Sequence, residues 1–115
     1  MSYRLTKLLF CAAALLCYSS AQAADADAAN ALIKRNNCTK CHDIEKKNKD
    51  GSPYKAVAEK YRNDAKAEEK LIKHLISGEQ VKFPDGQKDA HKIIRTTPAD
   101  DMGQIKNLIQ WILSL

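Results

Sequence analysis

Two cysteines separated by two residues, with a histidine directly behind the second, constrain this 115-residue chain more than any other segment: Cys38-Thr39-Lys40-Cys41-His42. The pattern is the attachment signature of a c-type haem. Each thiol adds to one vinyl group of the porphyrin, and the two linking residues let both sulfurs reach neighbouring edges of the ring. The histidine that follows then lies beneath the iron as proximal ligand. A chain built around such a group gains a large, flat, apolar body as the centre of its core.

The other readings of a C-x-x-C pair fit less well. A thioredoxin-like redox site needs a preceding strand and a βαβ context, and nothing before Cys38 reads as a strand. A structural zinc site needs a second ligand pair at finger-like spacing, and none follows. A disulfide between two exported cysteines is possible on redox grounds, but it leaves His42 without a role.

Export itself is written at the N-terminus. Arg4 and Lys7 form a positive n-region, residues 8–16 an apolar run, and Ala21-Gln22-Ala23 the small residues that a signal peptidase reads. Cleavage is expected after Ala23, giving a signal peptide over 1–23 and one domain over 24–115. The run is too short to make a comfortable permanent span, so no stable membrane anchor is expected. A lipoprotein signal using Cys17 would have bulky Leu16 where a small residue is wanted. Cleavage removes Cys11 and Cys17 and leaves Cys38 and Cys41 as the cysteines of a domain of about 92 residues. A domain this small has little stability to spare, so the apoprotein is expected to be poorly folded.

The formal charge of +5 falls to +3 without Arg4 and Lys7, with seventeen basic against fourteen acidic residues. Nucleic acid is not an expected partner of an exported chain lacking any aromatic-basic motif. Lys40 and the Lys46-Lys47-Asn48-Lys49 stretch either form a solvated loop or rim a docking face for an acidic redox partner, where complementary charge mainly raises encounter rate.

Patterning indicates an all-α fold of about four helices around one covalently attached haem. Asp25 and Asp27 open an alanine-rich helix running to Asn36, with Ala28, Leu32 and Ile33 on one side. After the Asp50-Gly51-Ser52 turn, Ser52 as N-cap and Pro53 as first residue start a helix to about Arg62. A third spans 64–77 and stops at Gly78, with Leu71, Ile72, Leu75 and Ile76 as its stripe and His74 on its exposed flank. The last is expected to open with Thr97 as N-cap and Pro98 as first residue. It carries Met102 in its first turn, then Ile105, Leu108, Ile109, Trp111 and Ile112. No strand is expected. The aperiodic 78–97 segment is long enough to be functional.

With the motif at the end of a first helix, the chain resembles the small class I cytochromes c, of the bacterial short-chain type. The marks are Cys38-Thr39-Lys40-Cys41-His42, the segment Gly51-Ser52-Pro53-Tyr54-Lys55-Ala56-Val57-Ala58-Glu59-Lys60-Tyr61, and the closing Leu108-Ile109-Gln110-Trp111-Ile112-Leu113-Ser114. The resemblance spans essentially the whole mature region. It implies one covalently bound haem c, first and last helices crossing near it, and Trp111 close to a propionate. Two departures stand out. The family usually has Gly-Pro-x-Tyr where this chain has Gly51-Ser52-Pro53-Tyr54, which leaves the carbonyl that orients His42 unnamed. The family also binds iron distally through a methionine in the loop before the last helix, and no methionine lies in 78–97. His91 occupies that loop and is the first candidate for distal ligand. Met102, otherwise a core residue one turn before Ile105, is the alternative; His74 is a third candidate but reads as a surface histidine, and an open site is the remaining reading.

Three functions follow from this pattern. The leading one is a soluble periplasmic single-electron carrier, which performs no bond chemistry and is not an enzyme. A gas-binding or sensor cytochrome with a displaceable distal ligand is the second. The third is the cytochrome subunit of a periplasmic dehydrogenase complex.

Overall fold

Asp25 starts the first helix as the sequence indicates: its carboxylate accepts the Ala28 N–H at 3.0 Å, and α1 runs Ala26–Arg35. The computed structural model describes residues 22–47 and 50–115. Almost all of the expected signal peptide, along with Asn48 and Lys49, therefore lies outside the described residues. Asn36 ends α1 and is buried. Its side-chain amide donates to the carbonyls of Leu32 and Arg95, and its oxygen accepts the Arg95 N–H, each at 2.8–3.0 Å. Lys92 Nζ donates to its backbone carbonyl at 2.8 Å. A buried amide has to be partnered in this way, and these partners pin the 92–95 segment to the end of α1.

Asn37 then adopts a left-handed conformation, φ 55°, and turns the chain into a single 3-10 turn, Cys38–Lys40. The second helix, α2, is Tyr54–Tyr61. Ser52 does not cap it, contrary to expectation. The first N–H groups of α2 are taken instead by carbonyls of the loop behind the motif, Tyr54 to Asp43 at 2.9 Å and Lys55 to Ile44 at 3.0 Å. Helix α3 is Ala67–Ile76, three residues shorter at its start than the pattern indicates. Asp64 spends its carboxylate on the Lys66 N–H and the Lys70 ammonium, which holds 64–66 as a turn rather than a first helical turn.

The segment read as aperiodic and strandless contains a hairpin. Strands β1, Gln80–Lys82, and β2, Lys88–Ala90, pair antiparallel with Val81 opposite Asp89. The loop is Pro84-Asp85-Gly86, with Gly86 at φ 89° and its N–H on the Phe83 carbonyl. That is the chemistry of a three-residue hairpin ending in a left-handed glycine. The strands escape a sequence reading because they are three residues long and mostly exposed, so no alternating face marks them.

The last helix, α4, is Met102–Leu113, four residues later than Thr97 and Pro98 suggest. Asp101 is its cap, accepting the Gln104 N–H at 3.1 Å, while Thr96 Oγ1 accepts the Asp101 N–H. Asp100 just before it sits at φ 57°, a conformation no helix can continue through. Helix α4 packs against α1, α2 and α3. Its buried residues, Ile105, Leu108, Ile109, Trp111 and Ile112, meet Ala29, Leu32 and Ile33 of α1, Tyr54, Leu71 and Ile94. Full burial of such side chains contributes about 1.5–3 kcal/mol apiece, whereas helices of this length are marginal alone. Asn107 adds a polar tie, exchanging two hydrogen bonds of 2.8 and 2.9 Å with the backbone of Asp25. The fold is all-α as expected, with the small hairpin added. Among the described residues no helix is long and apolar enough to cross a membrane.

Candidate functional site

The 3-10 turn places Cys38 and Cys41 on one short loop. The N–H groups of Cys41 and His42 both point to the Cys38 carbonyl, at 3.1 and 2.9 Å. Both thiols are free and half-buried. Burial pushes the Cys38 thiol above its ordinary range, against the opposing pull of the Lys92 ammonium. Cys38 packs, half-buried, against the core cluster that includes Tyr54.

His42 is oriented from behind. Its Nδ1 lies 2.8 Å from the Ser52 carbonyl oxygen. A carbonyl only accepts, so Nδ1 carries the proton and Nε2 keeps a free lone pair. Ser52 is thus the orienting residue that the sequence alone could not name. Ser52, standing where the family usually has proline, supplies that carbonyl itself. Gly51 makes room for the arrangement: a Cβ there would meet the Cys41 carbonyl oxygen and stand 2.9 Å from His42 Cε1 and Nδ1. On its other side His42 stacks on Tyr54, ring centres 5.5 Å apart and 19° between planes. Tyr54 in turn meets Trp111 edge-on at 6.1 Å. Desolvation raises the Tyr54 hydroxyl well above its usual pKa, so it stays neutral. Trp111 is buried, one layer behind His42 through Tyr54.

Across the site stands His91. Its ring centre is 6.2 Å from that of His42, with the planes at 50°. Two imidazoles sharing one metal ion at bonds of about 2 Å have their ring centres on the order of 6 Å apart. His91 Nδ1 is buried and has no protein hydrogen-bond partner, a condition that native interiors rarely leave unanswered. Burial first, then the nearby His74 and His42 rings, hold His91 below its ordinary pKa, so it favours the neutral form that a metal requires. Two thiols, two facing imidazoles and an unanswered buried nitrogen make up a donor set that fits a haem.

The other candidates are placed differently. Met102 is the first residue of α4 and 38% exposed, not the core residue expected from its spacing. The delayed start of α4 explains this, because it puts Met102 at the open end of the helix. His74 is not a simple surface histidine. It is half-buried, its ring centre lies 4.1 Å from that of His91, and its Nδ1 donates to Glu79 Oε1 at 2.5 Å. The sequence signal for this pairing was the hairpin turn Pro84-Asp85-Gly86, which returns the chain to α3 and brings positions 79 and 91 side by side.

Comparisons with known proteins place the chain in a family. The family model described as cytochrome c matches residues 26–115. Cytochrome c-551 of Allochromatium vinosum is 38% identical over 89 residues, covering 73% of this chain and 82% of that protein. Among solved structures, the class 1 cytochrome MtoD from Sideroxydans lithotrophicus ES-1 is 54% identical with a TM-score of 0.73, over 80% of this chain and 97% of that one. Wild-type cytochrome c552 of Nitrosomonas europaea is 27% identical with a TM-score of 0.58, over 75% and 98%. The cofactor is therefore haem c, covalently bound, the task is electron transport, and the chain belongs to the cytochrome c family as a small class I member.

Proposed function

We propose that this protein is a periplasmic single-electron carrier in which Cys38 and Cys41 hold the haem, His42 is the proximal ligand and His91 the distal one. The observation that carries the distal assignment is the His42–His91 juxtaposition at 6.2 Å, joined to the partnerless Nδ1 of His91. The bound iron supplies one-electron chemistry between its ferric and ferrous states. The chain's residues set the terms of that chemistry. The Ser52 carbonyl fixes the tautomer of His42 and, by accepting a hydrogen bond from Nδ1–H, raises the basicity of Nε2. A second imidazole in place of a thioether favours the ferric state and lowers the potential. With His42 and His91 both engaged in holding the iron, no group of the site would be free to act on a substrate, which suits a carrier rather than a catalyst. Export is supported by the positive n-region, the apolar run and Ala21-Gln22-Ala23.

The test is the optical spectrum of the ferrous protein, recovered from the periplasmic fraction and recorded with and without carbon monoxide. The wild type should not respond. His91→Ala should turn high-spin and bind carbon monoxide, while Met102→Leu should leave the spectrum alone. The reverse pattern would make Met102 the ligand. A wild-type response would point instead to a labile distal site and a gas-binding protein.

Lys40, Lys46 and Lys47 are exposed on and just behind the motif loop. They form the basic rim proposed to meet an acidic redox partner, and Lys49 of the same run lies outside the described residues. Replacing the three with glutamate should slow electron transfer to such a partner about tenfold or more at low ionic strength and much less at high salt. Equal rates at low salt would remove the docking role.

A further inference from the structure

We propose, building on the assignment of His91 as distal ligand, that His74 and Glu79 are positioning residues which hold the His91 imidazole and bias the iron toward its ferric state. Glu79 holds both histidines. Its backbone carbonyl accepts the His91 N–H at 2.8 Å, which extends the β1–β2 ladder by one pair, and its carboxylate accepts from His74 Nδ1. The His74 ring then lies against the His91 ring, 4.1 Å between centres and 43° between planes. The backbone around them is fixed at two more points. Gly78, at φ 64°, turns the chain out of α3, and Ile93 fills the space where a Cβ would stand, its Cγ1 and Cδ1 at 3.3 Å. The Ile94 N–H donates to the Leu75 carbonyl at 2.9 Å. The end of α3, the base of the hairpin and the 91–94 segment are thereby locked together with two imidazoles and one carboxylate between them.

The electrostatic consequence follows from the order of the groups. Glu79 presents its carboxylate to Nδ1 of His74, whose ring lies against that of His91. Its negative charge sits one imidazole removed from the proposed iron ligand, where it stabilises the higher charge of ferric iron. Metal-ligating histidines usually depend on such outer partners. Here the contact is ring against ring, with the carboxylate behind.

The experiment uses the haem-loaded full-length protein with Glu79→Gln and His74→Phe. The first keeps an acceptor for His74 and removes the charge, and the second keeps a ring against His91 and removes its nitrogens. Glu79→Gln should shift the ferric-to-ferrous equilibrium about three- to tenfold toward ferrous iron, the upper figure corresponding to about 59 mV. His74→Phe should alter the g-values of the low-spin ferric signal and make the ferrous protein responsive to carbon monoxide, to which the wild type is inert. A merely structural role would lower thermal stability and leave potential and g-values in place, which would overturn the proposal. If His91→Ala opens the iron while neither variant changes potential or g-values, this inference fails and the distal assignment stands. If His91→Ala stays low-spin and His74→Phe turns high-spin, His74 is itself the ligand and both are overturned.

Discussion

Replacing both Cys38 and Cys41 with alanine should abolish the native fold along with the haem. The helices show why. Helix α2 contributes Tyr54 and Ala58 to the buried set and α3 contributes Ala67 and Leu71. Two buried residues on a helix of eight or ten do not offset the ordering of its backbone at about 1–2 kcal/mol per residue. Among the described residues α1 and α4 supply most of the buried apolar side chains, and the large ones buried most completely, Leu108 and Ile109, both lie in α4. Ile76 and Ile93, each two residues along the chain from His74 and His91, are 43% and 52% exposed, apolar surface of the kind a porphyrin would cover. The double variant is therefore expected to lose most of its far-UV ellipticity and its cooperative melt, with residual helix confined to α1 and α4. Native ellipticity with a sharp melt in the haem-free protein would show that the four helices hold each other without the cofactor.

How local each signal is decides what can be read in the sequence. Elements whose signals are local came through: Asp25 and its alanine-rich helix, the motif loop, and the apolar face of α4 from Ile105 to Ile112. Capping residues were harder, because several polar groups near each boundary compete for the same N–H groups. Asp101 outcompetes Thr97 because Asp100 turns left-handed directly before it. Ser52 looked like a cap, yet its carbonyl is needed by His42 and the start of α2 is satisfied by Asp43 and Ile44. The hairpin was invisible to periodicity, although Pro84-Asp85-Gly86 is a turn signal with a mechanism. Missing it hid the tertiary pairing of residues 79 and 91, and with it the company that His74 keeps. His91 was picked out by its place in the loop and the lack of a methionine there. The burial of its Nδ1 and its distance to His42 are properties of the folded chain that no single-sequence pattern carries.

Gly51→Ala should be the most damaging single-methyl change in the protein. The added Cβ would collide with the Cys41 carbonyl oxygen and stand 2.9 Å from both Cε1 and Nδ1 of His42. Neither neighbour can give way cheaply. The Cys41 carbonyl belongs to the backbone of the motif loop, between the two residues whose positions matter most. The His42 ring is held in front by Tyr54 and behind by the Ser52 carbonyl, so moving it stretches the 2.8 Å hydrogen bond. Overpacking of this kind costs about 1–3 kcal/mol, and a loosened hydrogen bond adds about 1 kcal/mol. In a domain of this size the sum lowers the melting temperature by on the order of 10–20 °C. The melt alone would not separate general damage from damage to the ligand. The spectrum does, because a His42 that no longer donates squarely to Ser52 is a weaker base toward iron, and the potential should rise while a high-spin fraction appears. Gly103→Ala is the matching control. It adds the same methyl in the first turn of α4, where the nearest atom is an Asp101 carboxylate oxygen at 3.2 Å. Its effect should stay within about 1 kcal/mol, the size of the gain in helix propensity. Were Gly51→Ala to melt and absorb like Gly103→Ala, the Ser52–His42 contact would have no part in holding the proximal ligand, since the ring would have moved at no cost.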